Sequence, residues 1–538
     1  MPANPSSINR FSRTVPALSP PEYIDIKRPK SLFDLVESRF EGLPSLHRIL
    51  SQIRALQGET IVIEKVGASD DLREENEDIA KRGLDLTESA SWRMGFFKQQ
   101  IDSTGTLAEL RQDCFLGYAV IKHDRSSSSS YNKTRIFESV VKQSCRENNY
   151  IRKGKPWGCL IAGNPLSING YLYAQQNKIT NVCAHVALRT TAASFHKDGD
   201  ISYREINNIL GIDHTTKTVE DGLNTSQMEE VLKSVGANCS VINYQNLNMP
   251  VSFRKWVYSS VESGFPAIVC FAASSVRHAI PIFGHTFNED TWVPSADISY
   301  FRVGARTSYI PSESWVSMFV GHDDNFGSNF CIPQHYMDAP PTCTELTVNK
   351  LCPVQKDRVE YVIATFPKEV KTNAVEAEVI GADYLFTILQ QLPSFNDIWI
   401  KRLKIYAKIN RLVLRPILIE GAEYVKHMND VCNWDGKKFP RNMGNMFFRD
   451  RLKEKFWMIE LSIPELFSAN KRKVGEVIIR AEESIGTVRN FNSFFFSRLP
   501  SCFAFYDGGG TANPKYAFIR NGVKGHIELF GCEESVVL

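Results

Sequence analysis

The chain lacks the features that mark most specialised protein classes. No apolar run approaches the ~18–20 residues that a membrane helix requires, so no membrane span is expected. No CxxC pair occurs, and the twelve cysteines are scattered singly through 538 residues. That spacing excludes a compact disulfide scaffold and points to reduced thiols in a cytosolic protein. Charge of one sign is missing too: 63 Lys and Arg face 60 Asp and Glu, a net charge of +3. Bulk charge therefore names neither nucleic acid nor an acidic membrane surface as a partner. The first residues, Met1 to Pro21, carry Pro, Ser and Asn without the apolar core of a secretory signal. They read as part of a flexible tail over 1–29.

What is present fits a globular protein of several domains. The apolar fraction of 43% and charged fraction of 23% are ordinary, and the length suits two to four domains with sizeable cores. Helical and strand periodicities alternate irregularly, so the expected class is a multidomain α+β fold. Residues 30–149 read as an N-terminal α/β domain: a helical stretch from Ser31 to Leu56, a strand at Glu59 to Glu64, a charged helix at Leu72 to Arg82 and a strand at Phe115 to Ile121. A central domain is expected over 150–338, a linker over 339–355 and a C-terminal α/β domain over 356–538. Within the last, Lys401, Arg402, Lys404, Lys408, Arg411 and Arg415 form a basic run with no acid between them. Interleaved Ile405, Tyr406 and Ile409 suggest an amphipathic helix whose cations face water, a nucleic-acid surface being the weaker reading.

The chemistry concentrates in the central part. Gln175 and Gln176 precede a polar turn that delivers Cys183 to the start of an Ala-rich helix, with Thr180 and Asn181 as N-cap types. A cysteine at a helix N-terminus sits among unpaired N–H groups that favour a thiolate nucleophile. Further on, Gly264 to Phe271 reads as a buried strand, followed by Arg277-His278-Ala279-Ile280-Pro281-Ile282-Phe283-Gly284-His285. Strand alternation puts His278 and His285 on opposite faces, so only one of them can serve a given site. Asp323 and Asp324 follow a strand from Trp315 to Val320 and precede a glycine turn at Gly327, well placed to orient an imidazole.

Other patterns carry less. The stretch from His196 to Glu205 lacks the ligand series of a calcium loop and reads as a turn capping a helix at Ser202 to Leu210. Cys331, His335, Cys343 and Cys352 match no zinc finger or ribbon spacing. No metal or other cofactor is expected.

The order Gln, Cys at a helix start, His-Ala-Ile-Pro-Ile-Phe-Gly on a strand, then Asp before a glycine turn resembles the papain-like cysteine peptidases. Among these it is most similar to the bacterial double-glycine-leader peptidases, over roughly Asn164 to Pro333. The resemblance implies Cys183 as nucleophile, His278 as general base, Asp323 as orienting acid and Gln176 as oxyanion donor. Gln176 stands one residue further from the cysteine than in those families; Gln175 also stays open for that role, and Asp324 stays the runner-up to Asp323. The implied reaction is cleavage of a peptide or amide bond through a thioester. Deamidation and acyl transfer share that chemistry. The competing expectation is a non-catalytic scaffold that binds a protein or nucleic acid through its C-terminal domain.

Overall fold

A computed structural model describes residues 10–26, 32–40, 42–127, 129–143, 149–152, 154–216, 222–245, 251–272, 277–288, 301–303, 307–333, 358–393, 398–430, 447–470, 472–483, 492–500, 502–510, 513–520 and 530–531. Helices and strands are mixed throughout, as an α+β chain requires. Three large sheets organise the described residues, with five, seven and eight strands. No helix among them is long and apolar enough to cross a membrane.

The first sheet is an antiparallel meander of Glu22–Asp25, Thr60–Lys65, Leu86–Phe97, Phe115–Ser126 and Asn132–Val141. Two helices, Leu32–Phe40 and Pro44–Ala55, cover one face with Val36, Phe40, Leu46, Ile49 and Ile53. The continuous helical periodicity of this stretch is broken in space at Gly42, whose φ of 70° is left-handed, and at Pro44. Residues 10–26 are not a loose tail. Phe11 and Val15 are buried, Arg13 is ion-paired, and Glu22–Asp25 joins the sheet edge. The segment is too polar in composition to advertise its burial, and its one buried charge, Arg13, is matched by acids far along the chain, Glu138 and Asp200.

The second sheet carries the site. Its order is Gly327–Pro333, Val316–Asp323, Arg277–Phe287, Ala267–Ala272, Arg358–Pro367 and Ala237–Asn243, all antiparallel. Asn149–Tyr150 pairs beside His285. One face packs on the helix Cys183–Ala192 through Ile268, Ala279 and Ile363, and the other on Phe253–Glu262 through Val269, Ile280 and Ile282. The expected boundary at 356 does not separate two units, because Arg358–Pro367 is an inner strand of this sheet. Conversely, Phe301–Val303 and Thr307–Pro311 belong to the third sheet, where the latter pairs in parallel with Val413–Glu420. Periodicity marks a strand but not its partner, which is why composition placed these strands with their sequence neighbours. The expected linker, 339–355, lies outside the described residues.

The third sheet continues through Lys455–Ser462, Gly475–Arg480, Phe494–Leu499, Cys502–Gly510 and Asn513–Arg520. Ala374–Gln391 packs on one side of it and Gly421–Asp430 on the other. Arg415, expected with the solvated cations, is buried on the strand Val413–Glu420. It binds Glu262 of the second unit and Glu460, at 2.9 Å from the latter.

Candidate functional site

Cys183 is the first residue of its helix, as expected, but the N-cap is Val182, which has no side-chain acceptor to offer. Thr180 and Asn181 do not cap. Instead the loop before the helix is built on the Asn177 amide, whose Oδ1 accepts the N–H groups of Ile179, Thr180 and Asn181 at 2.8, 2.8 and 3.1 Å. Its Nδ2 donates to Thr180 Oγ1 and to Glu75 Oε1 at 2.8 and 2.9 Å, and Asn181 Nδ2 donates to the same Glu75 oxygen at 3.1 Å. Lys178 takes a left-handed φ of 65° in this turn. The capping role falls to His185: its Nδ1 accepts the Val182 N–H at 3.3 Å while Nε2 bonds Asn207 Oδ1 at 2.9 Å. Burial holds this imidazole down at about 4, so it stays neutral and can accept. A sequence pattern gives no hint of that arrangement, because Glu75 and Asn207 come from distant elements.

His278 stands near the start of the strand Arg277–Phe287, opposite Phe271 on its neighbour. The Phe271 ring meets the imidazole edge-on, with centroids 5.4 Å apart. On its other side the strand pairs with Val316–Asp323, and close approach of the two is made possible by Gly321. A Cβ there would lie 2.5 Å from the Pro281 carbonyl oxygen. Asp323 ends that strand. Its Oδ1 accepts the N–H groups of Asn325 and Phe326 at 2.8 and 3.1 Å, which aims Oδ2 at His278 Nε2, 3.3 Å away. Asp324 Oδ1 lies 3.4 Å from the same nitrogen, on a buried carboxylate.

The two acids differ electrostatically. Burial works against ionisation at both, but at Asp323 the His278 hydrogen bond and charge, with the two N–H donors, win and hold the carboxyl below its usual range. At Asp324 burial, helped by the Asp323 charge, pushes the carboxyl up to about 6. For His278, burial alone would lower the affinity for a proton. Hydrogen bonds to Asp323 and to Cys183, with the charges of both aspartates, outweigh it and raise the imidazole to about 10.

The other candidates fall elsewhere. His285 is fully buried, its Nε2 2.8 Å from Glu262 of the helix Phe253–Glu262, and a register shift between Ile282 and Gly284 interrupts the alternation that was expected to set it opposite His278. His322 is buried between Tyr171 O and the Asn329 N–H, and burial depresses it to about 3. Gln175 is committed to the framework: Oε1 accepts the Ile136 N–H, and Nε2 donates to Ser45 Oγ and to the Asp324 carbonyl. Gln176 has its amide beside the Asp324 carboxylate, which it helps to stabilise as an anion, and its carbonyl accepts from Lys133. The stretch read as a turn does cap a helix, Ser202 Oγ accepting the Glu205 N–H at the start of Tyr203–Ile209.

His278, Asp323 and Asp324 each offer one ligand atom within 4.8 Å of the others, so a cation could be held there. Of the cysteines and histidine weighed for zinc, Cys331 is an exposed thiol, and His335, Cys343 and Cys352 lie outside the described residues. No protein-family model, curated protein or solved structure matches the chain.

Proposed function

We propose that this protein is a papain-like thiol hydrolase that cleaves a peptide or amide bond through Cys183, His278 and Asp323. The observation that carries the reading is the imidazole of His278, 3.3 Å from the Asp323 carboxylate and near enough to Cys183, at the head of its helix, for the thiol to strengthen its hold on a proton. A helix bearing the cysteine, packed on an antiparallel sheet bearing the histidine and the acid on adjacent strands, resembles the core of that superfamily.

The chemistry follows from the arrangement. With Nε2 engaged by Asp323, the ring is held in one orientation and the imidazolium is stabilised. An imidazolium beside a sulfur at a helix N-terminus is what a nucleophilic thiolate needs. The thiolate attacks the carbonyl carbon, and the backbone N–H at the head of the helix, which has no intrahelical acceptor, faces the developing oxyanion. His278 then protonates the leaving amine, and water resolves the thioester with His278 as base. Gln176 joins the oxyanion site by turning its amide from Asp324 to the substrate.

The test is a mass-spectrometric screen of a diverse peptide mixture with the full chain and with Cys183→Ala. Products of cleavage or deamidation that disappear in the variant are expected. No Cys183-dependent product, together with no selective labelling of Cys183 by a thiol electrophile, would leave the non-catalytic scaffold as the better reading.

A further inference from the structure

The helix Ile398–Lys408 has two apolar faces, and only one of them is used. Trp399, Ile400 and Leu403 are buried in the core of the third sheet. Ile405 and Ile409, whose apolar character suggested the packed side, face water instead, with Ile398: the three are 57%, 54% and 58% exposed. The Ile409 N–H bonds to the Ile405 carbonyl at 3.1 Å, so the turn continues to that residue. At 3.6 residues per turn the three isoleucines lie within about 20° of one line along the helix. They form a ridge about 16 Å long.

Cations border this ridge. Arg402 lies on one side and stacks over Trp399 at 5.3 Å, while Lys401 and Lys408 lie on the other. All three are exposed, Arg411 follows beyond the helix, and 398–411 contains no acid. Lys404 is turned back onto the Leu392 carbonyl and takes no part.

We propose that this face is a peripheral membrane-binding surface for anionic phospholipid. Charge complementarity and shape together select that occupant. Flanking cations at the level of acidic headgroups would set the isoleucine ridge at the boundary with the acyl chains. Nucleic acid would use the cations but gain nothing from three aliphatic side chains. A protein groove is less well matched, because the helix itself brings only cations to the ridge; the one acid there, Glu465, pairs with Arg411 at 3.7 Å and leaves Lys401, Arg402 and Lys408 as its flanks. The absence of a spanning helix among the described residues is compatible with attachment at the surface.

Flotation of the full chain with phosphatidylcholine vesicles, with and without phosphatidylserine, tests this. Binding is expected only to the anionic vesicles, weakening as salt is raised. The double variant Ile405→Asp/Ile409→Asp should bind at least about tenfold more weakly, and Lys401→Gln/Lys408→Gln should lose binding as well. Both sites are exposed, so melting temperatures should match the wild type. Absence of binding to anionic vesicles at low salt overturns the proposal, as does full binding by the aspartate variant. Capture of a single-stranded DNA oligomer that needs the lysines but not the isoleucines, without vesicle binding, would assign the face to nucleic acid instead.

Discussion

His278 faces two carboxylates, and their surroundings give them different work. Asp323 is pinned by two backbone N–H donors and held below its usual range, whereas burial and the Asp323 charge push Asp324 up to about 6. Asp323→Asn is therefore expected to keep the fold and lower turnover about a hundredfold or more, by losing the oriented imidazolium. Asp324→Asn should cost much less. Kinetics of the two variants in which Asp324→Asn is the slower would reverse these roles. Cys183 has its own check. Burial pushes the thiols of Cys159, Cys239 and Cys270 up to about 12, which keeps them inert near neutrality. Iodoacetamide at mildly acidic pH should thus alkylate Cys183 before these. A helix end supplies ~0.3–1 kcal/mol toward the anion, less than the ~1.36 kcal/mol of a single pKa unit. His278→Ala should slow the reaction by more than about tenfold if the imidazolium supplies the rest. Equal alkylation rates in the two proteins would mean that no ion pair forms.

At the scale of the element, the loop before the cysteine helix depends on Glu75 of the helix Asp70–Lys81. That carboxylate receives Asn177 and Asn181 from the loop, and Lys122 and Arg135 from the first sheet, all out of water. The two cations hold Glu75 ionised, down at about 2, against a burial that alone would raise it. Glu75→Gln keeps the shape but leaves Lys122 and Arg135 short of charge, and breaking such a buried network costs on the order of 3–5 kcal/mol. Urea denaturation should show that loss. Alkylation of Cys183 should slow in the same variant, since the loop that aims the thiol would be less firmly held. A variant of native stability would show that the asparagines, rather than the carboxylate, carry the loop. A polar turn and the helix after it were legible locally, from the polar run before Cys183 and the Ala-rich apolar run beyond it, but the capping at Val182 and His185 was not. The Glu75 anchor was not, because it lies roughly a hundred residues away in sequence and only packing brings it near.

Across the whole molecule, residues 10–17 tie the first unit to the second. Arg13 bridges Glu138 of the first sheet and Asp200, both at 2.9 Å, and Arg189 of the cysteine helix shares those acids. Ser12 donates its N–H to buried Asp71 at 3.1 Å. Burial first, then the Glu138 charge, pushes the Asp71 carboxyl up to about 7. The native state therefore holds this proton more tightly than the unfolded chain, where an aspartate titrates near ~3.9. Its contribution to stability is complete below about pH 4 and is lost as pH rises through about 7. Melting temperatures should accordingly carry a downward slope over that window, which Asp71→Asn flattens. An unchanged slope in the variant would assign the pH dependence to other groups. Short-range pattern sufficed for the cysteine at a helix start and for the strand around Phe115 to Ile121. Periods of 3.6 and 2 are properties of a few adjacent residues, and the chain displays them before it folds. Strand partnership, the burial of 10–26, the commitment of Gln175 to the framework and the outward turn of the isoleucines at 398, 405 and 409 were decided only by tertiary packing. Each depends on which distant surface arrives to bury a group or to pair its charge, and no local window of sequence contains that surface.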